Sequence, residues 1–264
     1  MPIANRPLSF VLSSTDHGTL IVNRNDYQML NSDQGYGVGY QLFTTSHFDP
    51  SEVGLVLKML ELRHTHFGDG VVAFDCGANI GVHTVEWGRL MAHWGSIIAI
   101  EAQERIYYAL AGNVAINNCF NVTALHAAVG AVPGTLSIPR LDYNKASSFG
   151  SFELRKREDT EQIGQDVDYE HNTQEIGMVS IDSFDVQRLD FIKIDVEGME
   201  LDVLEGASRS IERHRPQMLI ECIKTSKHEL QKRLTQWGYK TFELGINFLA
   251  VHESDPSLSA IKLS

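Results

Sequence analysis

Short apolar runs alternate with helical patterns along much of the chain. Each short run is typical of a buried strand, and apolar positions three or four residues apart indicate the helices between them. Strands that alternate with helices form βαβ units, so the pattern predicts an α/β fold with a mainly parallel sheet. Residues 242–244 and 248–251 predict a closing antiparallel pair. The other predicted strands are residues 71–74, 97–100, 121–125, 191–194 and 218–220, and the predicted helices are residues 81–93, 104–118, 199–213 and 227–237.

The chain before this alternation has a different pattern. We interpret residues 1–68 as an N-terminal extension that packs on a core domain of residues 69–264. Apolar runs on both sides of residues 16–18 predict a hairpin. The segment 35–40 is too rich in glycine for a helix, whereas residues 48–63 carry a helix start and an apolar stripe that predict one.

An insertion at about residues 131–178 interrupts the core pattern. Within it, residues 135–138 predict an added strand. Residues 153–177 hold eleven charged residues and little apolar periodicity. We interpret this charged stretch as a solvated insertion, with a mobile lid over the functional site as the alternative.

Charge and composition narrow the classes of partner. The chain of 264 residues has a formal net charge of −12. An acidic chain without a Lys/Arg run is a poor candidate for binding nucleic acid or an anionic membrane surface. No apolar stretch is long enough for a membrane span, and the first residues lack a signal-peptide pattern. We therefore expect a cytoplasmic protein; its three cysteines form no C-x-x-C pair and are expected to be buried thiols.

Four predicted strands end in a carboxylate residue: Asp75, Glu101, Asp195 and Glu221. In an open parallel sheet, ligands bind at the edge formed by the carboxyl ends of the strands. A single acidic residue at a strand end is often a turn former. Four of them at one edge indicate a binding site.

A glycine loop follows the first core strand and opens a helix. Its order is Gly77-x-Asn79-x-Gly81, and Val82 stands at the place of the third glycine of the dinucleotide fingerprint G-x-G-x-x-G. A P-loop sequence is absent from the chain. The spacing favours a cofactor without a phosphate, such as S-adenosyl-L-methionine.

The strand-end acids suit such a cofactor. Asp75 would favour its cationic amino-acid end, and the amide of Asn79 can hydrogen-bond in a tight turn. Glu101 could accept both ribose hydroxyls of an adenosine. Enzymes that bind NAD use an acidic residue at the same place, so Glu101 indicates adenosine ribose but does not choose the cofactor.

Two sequence motifs resemble those of the FkbM-like methyltransferases. The first is V-A-F-D-C-G-A-N-I-G-V-H-T at residues 72–84, and the second is L-D-F-I-K-I-D-V-E-G-M-E at residues 189–200, continued by V-L-E-G-A at residues 203–207. The Ser-Ile-Asp sequence at residues 180–182 also matches the family pattern. The resemblance spans about residues 70–225, and Cys76 and His83 are not part of it.

The resemblance implies a Rossmann-like class I methyltransferase fold. This fold has a mainly parallel seven-stranded sheet, helices on both faces and a closing antiparallel hairpin. It also implies S-adenosyl-L-methionine as the cofactor and O-methylation of a sugar, glycan or natural product. The expected cofactor-binding residues are Asp75, Gly77, Ala78, Asn79, Gly81, Thr84, Glu101, Ala102, His126, Ala127 and Ser148, with His126 and Ala127 at the adenine.

Methylation of an alcohol requires removal of the hydroxyl proton, which a side-chain base or a metal ion can assist. We expect Asp195 and Glu197 to act there, because residues two apart share one side of an extended chain. Glu197 could instead cap the following helix. His83 is a further candidate base, although a packing histidine is the alternative.

Two more residues are expected at the acceptor. Glu221 would add a third carboxylate, and Tyr36 could stack on a sugar. Asp195, Glu197 and Glu221 together could hold Mg²⁺ or Ca²⁺, but no metal is required. The expected partner is a small-molecule or glycan acceptor. An NAD(P)-linked oxidoreductase and a non-catalytic protein that keeps the fold remain alternatives.

Overall fold

A seven-stranded sheet forms the centre of the molecule. The computed structural model describes residues 8–31 and 33–261. The strands in these residues are β1 (Phe10–Thr15), β2 (Gly18–Asn23), β3 (Gln28–Met29), β4 (Gly35–Tyr36), β5 (Val71–Cys76), β6 (Gly95–Glu101), β7 (Val122–His126), β8 (Ala128–Val129), β9 (Gly134–Pro139), β10 (Thr173–Val179), β11 (Phe191–Ile194), β12 (Gln217–Glu221), β13 (Tyr239–Leu244) and β14 (Asn247–His252). The α-helices are α1 (Val38–Thr45), α2 (Pro50–Phe67), α3 (Val82–Leu90), α4 (Glu104–Ile116), α5 (Glu200–Glu205), α6 (Ser208–His214) and α7 (Lys227–Gln236).

The sheet has the order β13-β14-β12-β11-β5-β6-β7. Strands β5, β6, β7, β11 and β12 pair in parallel, whereas β14 is antiparallel to β12 and forms a hairpin with β13. Cys76 pairs with Ile194 on one side and with Ile100 on the other. The central strands therefore end level with one another, and the predicted α/β architecture with its closing hairpin is confirmed.

The core alternates across the two faces of this sheet, because successive strand side chains point to opposite sides. Phe74 and Ile192 pack on the face covered by α5, α6 and α7. Their neighbours Ala73 and Phe191 pack on the opposite face, against α2, α3 and α4. The central strands are buried on both sides, which explains why their sequences are apolar without alternation.

The N-terminal elements share a core with the helices beside the glycine loop. The predicted hairpin is confirmed as β1 and β2, and Leu20 and Val22 pack with residues of α3 and α4. The expectation of no helix in residues 35–40 was wrong, because α1 begins at Val38. The Asp26 carboxylate accepts the backbone N–H of Gly39 at 3.0 Å and stabilises that helix start.

One predicted helix is divided in two. Residues 199–213 form α5 and α6, with a break at Gly206. A Cβ atom at Gly206 would lie 2.2 Å from the carbonyl oxygen of Gly130, so the chain approaches a distant loop there. No helix among the described residues is long and apolar enough to cross a membrane.

The charged insertion is more buried than its composition predicts. The added strand is confirmed as β9, which pairs with β10 beside β8. Phe152, Leu154 and Ile163 pack into the main core, and the Glu153 carboxylate is buried as well. Within residues 153–175, the interpretation as solvated is therefore wrong for Glu153, Leu154 and Ile163, whereas the other residues are exposed or half-buried.

Candidate active site

A cleft of about 400 Å³ lies at the carboxyl edge of the central strands. Its floor is the glycine loop and the strand ends, and its walls come from residues 36–48 and 148–161. This volume is in the range of small-molecule sites. The thirteen sequence-predicted residues that line it are Tyr36, Asp75, Gly77, Ala78, Asn79, His83, Glu101, Ala102, Ala127, Ser148, Asp195, Glu197 and Glu221.

The glycine loop contacts the end of β11 directly. Gly77 has φ +80°, and a Cβ atom there would lie 1.7 Å from the carbonyl oxygen of Asp195. Asn79 is also in the left-handed region, with φ 50°. Its side-chain oxygen accepts the backbone N–H of Ile80 at 2.7 Å, which stabilises the tight turn.

Asp75 is a buried carboxylate with one free oxygen. Its Oδ2 accepts the Thr84 hydroxyl at 2.6 Å. Its Oδ1 is buried and has no hydrogen-bond partner among the described residues. A buried carboxylate oxygen without a donor is costly unless a ligand satisfies it, so this atom is suited to a cationic or N–H group in the cleft.

Glu101 is held by two backbone groups. Its Oε2 accepts the N–H of Asn79 at 3.0 Å, and its Oε1 accepts the N–H of Gln103 at 2.7 Å. Burial raises the pKa of Glu101 to about 7, although both hydrogen bonds act in the opposite direction. The carboxylate is thereby fixed at the edge of the cleft with lone pairs left for a ligand.

Asp195, Glu197 and Glu221 form an acidic cluster on the cleft floor, with ligand oxygens within 4.8 Å of one another. Burial, then the charge of Asp195, raises the pKa of Glu197 to about 8. Burial and the same charge raise the pKa of Glu221 to about 10. Of the three carboxyl groups, Glu221 is therefore the one best suited to keep its proton and donate a hydrogen bond.

Two lysines neutralise part of this cluster. Lys193 Nζ lies 2.6 Å from Asp195 Oδ2, as expected for a strand lysine between apolar neighbours. Lys224 Nζ lies 2.6 Å from Glu197 Oε2 and 3.2 Å from Glu161 Oε2. The three carboxylates have the donor chemistry for Mg²⁺ or Ca²⁺, but ammonium groups already balance two of them.

His83 is bound to an acidic partner at the cleft wall. Its Nε2 lies 2.9 Å from Glu52 Oε1, and its buried Nδ1 has no partner among the described residues. Burial opposes ionisation of Glu52, yet the hydrogen bond from His83 and the charge of Lys193 hold the pKa of Glu52 below its ordinary value. His83 is thus oriented by a carboxylate, with one ring nitrogen free.

Tyr36 joins the N-terminal elements to the insertion across the cleft. Its hydroxyl donates to Glu161 at 3.0 Å and lies 2.9 Å from Gln28. Burial and the hydrogen bond to Glu161 raise the pKa of Tyr36 to about 12. The tyrosine is a neutral wall residue.

Three predicted cofactor residues do not line the cleft. His126 was expected at the adenine, but its ring stacks on Tyr107 and its Nε2 contacts the Ala102 carbonyl at 3.0 Å. Thr84 acts through Asp75, as described above. Gly81 allows close packing, because a Cβ there would lie 2.5 Å from Leu110 Cδ1.

Sequence reasoning missed several residues at the cleft. Gln103 follows Glu101 by two positions and donates from its Nε2 to the Phe149 carbonyl at 2.9 Å. Its position just after a strand end could have indicated it. Glu161 and Lys224 carried no such signal, since neither lies in a motif and their contacts join distant segments.

Comparison with known proteins identifies the family. No curated protein matches the chain. The crystal structure of methyltransferase FkbM from Methylobacillus flagellatus KT is 18% identical, with a TM-score of 0.47 over 72% of this chain and 48% of that one, so this chain spans about half of that protein. A precorrin-6y C5,15-methyltransferase from Geobacter metallireducens GS-15 is 16% identical, with a TM-score of 0.43 over 79% and 89% of the two chains. A SAM-dependent O-methyltransferase from Thermotoga maritima is 12% identical, with a TM-score of 0.40 over 89% and 74%.

The family model described as the methyltransferase FkbM domain matches residues 75–241, which is more than half of the chain. The match includes the glycine loop, the acidic cluster and both lysines described above. The chain therefore belongs to the FkbM methyltransferase domain family.

Proposed function

We propose that this protein transfers a methyl group from S-adenosyl-L-methionine to a hydroxyl group of a sugar, glycan or hydroxylated natural product. The observation that carries the proposal is the contact between Gly77 and the backbone of Asp195. It brings the cofactor loop and the acidic cluster into one cleft. A methyl donor held at the loop would thus lie beside side chains that can take a proton from an alcohol.

The residues of the cleft fit the cofactor. Asp75 offers a buried carboxylate oxygen without a partner, which suits the cationic amino group. Glu101 is fixed by two backbone hydrogen bonds, and its remaining lone pairs suit the ribose hydroxyls. Ala127 and Ser148 line the same cleft and suit the adenine side. When bound, the cofactor supplies an electrophilic methyl group on its sulfonium sulfur.

We assign proton removal to Glu197. Its carboxyl group lies on the cleft floor, and its raised pKa of about 8 makes the ionised form a stronger base than an exposed glutamate. Lys224 holds it by an ion pair, whereas the neighbouring charge of Asp195 helps to raise its pKa. Glu221, whose pKa is raised by burial and by the neighbouring carboxylates, would donate a hydrogen bond to the acceptor in its protonated form. His83, with its free Nδ1, is the alternative base.

The acceptor side of the cleft combines acidic and apolar surface. Ile223 and Ile246 line the cleft and are exposed. We propose that the N-terminal extension contributes residues 36–48 to the cleft wall, since Val38 and Phe48 also line the cleft. A metal is not required by this assignment, because Lys193 and Lys224 already supply positive charge.

The experiment is a transfer assay with labelled methyl donor and a panel of hydroxylated sugars and natural products. Glu197→Gln and Asp195→Asn are expected to bind S-adenosylhomocysteine but to lose turnover. Glu212→Gln, an exposed residue of α6, is the matched control and keeps it. Normal turnover in both cleft variants would remove these carboxylates from the mechanism. Methylation of nitrogen, carbon or sulfur only would refute the O-methylation.

A further inference from the structure

The turn that carries Glu197 is held in an unusual backbone conformation. Glu197 has φ 54° and Gly198 has φ 99°, so two consecutive residues lie in the left-handed region. Glycine adopts this region freely, but for a glutamate it is costly. Such a conformation persists only where the surroundings hold it.

The buried carboxylate of Glu200 supplies that support. Glu200 is 1% exposed, and its Oε1 accepts the backbone N–H groups of Gly198 at 3.0 Å and Val196 at 3.3 Å. These two donors lie on either side of Glu197. They precede α5, so the side chain reaches back into the turn rather than capping the helix that it begins.

A second segment fixes both carboxylates. The hydroxyl of Thr225 donates to Glu200 Oε2. The preceding residue, Lys224, contacts Glu197 Oε2 at 2.6 Å. Two consecutive residues after β12 therefore bind the two glutamates of the turn, one through an ion pair and one through a hydrogen bond.

We propose that Glu200, fixed by Thr225, is a positioning residue that holds Glu197 in its left-handed conformation and directs its carboxylate into the cleft. Glu200 does not line the cleft and touches neither a cofactor nor an acceptor site. It acts on the turn alone. The role rests on the proposed function of Glu197 as the base.

Amide hydrogen exchange by NMR tests this role without knowledge of the acceptor. The matched pair is Thr225→Val, which removes the hydroxyl at nearly constant size, and Thr225→Ser, which retains it. We expect Thr225→Val to speed exchange at the amides of Val196 and Gly198 about tenfold or more, the effect of losing one hydrogen bond to a charged group. Thr225→Ser should stay close to the wild type.

Substitutions at Glu200 complete the series. Glu200→Gln keeps an acceptor oxygen and should retain most of the protection, whereas Glu200→Ala should lose it. Glu205→Gln, an exposed residue of the same helix, should change nothing. The affinity for S-adenosylhomocysteine should stay within about threefold of the wild type in all these variants, because Glu200 and Thr225 lie outside the cleft. With an accepted substrate, Thr225→Val should lower kcat and leave KM unchanged.

The results separate the two proposals. Unchanged exchange at both amides in Thr225→Val, or faster exchange with unchanged kcat, would overturn the positioning role. Glu200→Ala could fail to fold, but the other variants still decide. If the wild type does not bind S-adenosylhomocysteine, the proposed function is wrong, and the exchange rates alone then decide whether Glu200 holds the turn.

Discussion

Gly77 lies so close to Asp195 that no side-chain carbon fits between them. A Cβ atom at Gly77 would meet the Asp195 carbonyl oxygen at 1.7 Å, and the φ of +80° independently disfavours any other residue. This contact joins the loop of the first core strand to the acidic end of its neighbour. The proposed methyl donor and the proposed base share one cleft because of it.

Gly77→Ala should therefore disrupt both fold and binding. We expect a loss of about 3 kcal/mol or more in the free energy of unfolding, since the backbone must move and adopt a strained φ. S-adenosylhomocysteine binding should be lost. Gly54→Ala is the control: Gly54 lies within α2 with open space around it, so alanine should stabilise by about 0.5–1 kcal/mol. Denaturant unfolding measures the stability of both variants. A Gly77→Ala protein with wild-type stability would contradict the close contact with Asp195.

The fold was largely predictable because buried parallel strands are continuous apolar runs. The grouping of the strand-end acids was also predictable, since parallel strands place their carboxyl ends at one edge of the sheet. The break in residues 199–213 was not predictable, because it depends on the close approach of Gly206 to the backbone of Gly130, which is distant in sequence. Local periodicity contains no information on such an approach.

The affinity for S-adenosylhomocysteine should depend on the ionisation of Glu101. Its pKa of about 7 means that the side chain is protonated and a poorer acceptor below that pH. Affinity should rise about tenfold between pH 6 and pH 8 as the carboxylate forms. Calorimetric titrations across this range measure the change.

Glu101→Gln supplies the control for this pH dependence. The amide cannot ionise, so its affinity should be flat over the same range. It should also be weaker than the wild type at pH 8 by about 1.5–3 kcal/mol, the usual value of hydrogen bonds to a charged group. If Glu101→Gln binds with wild-type affinity at pH 8, the assignment of Glu101 to the ribose hydroxyls is wrong.

The left-handed conformation of Glu197 predicts an unusual order of stability. At most positions alanine is more stable than glycine, but φ 54° favours glycine. Glu197→Gly should therefore be more stable than Glu197→Ala by about 1 kcal/mol. Denaturant unfolding of the two variants compares them directly. The ordinary order, with alanine more stable, would refute the strained turn.

Lys224 should contribute to stability through the carboxylates that it neutralises. Its side chain is 9% exposed and contacts Glu153, Glu161 and Glu197. Lys224→Met removes the cation beside Glu161 and Glu197 and should cost about 3 kcal/mol at pH 8. The cost should shrink at pH 6, where Glu197 takes up a proton. Lys224→Arg should keep most of the stability, and equal stability of all three proteins would contradict the network.

The site could be predicted only in part, because side-chain directions depend on partners that are distant in sequence. His126 ends β7 as expected, yet its ring stacks on Tyr107 and does not line the cleft. Lys224 and Glu161 meet across segments that share no motif. Motifs located the glycine loop and the acidic residues at the strand ends. The positions of Lys224 and Glu161 depend on tertiary packing.

Calorimetric titration of the purified protein with S-adenosylhomocysteine, with NADH as the control, tests the central claim most directly. The cleft with Asp75 and Glu101 at its strand ends predicts micromolar binding of S-adenosylhomocysteine and none of NADH. Binding of NADH alone would favour the oxidoreductase, and binding of neither would make the strand-end carboxylates structural and contradict a methyltransferase site.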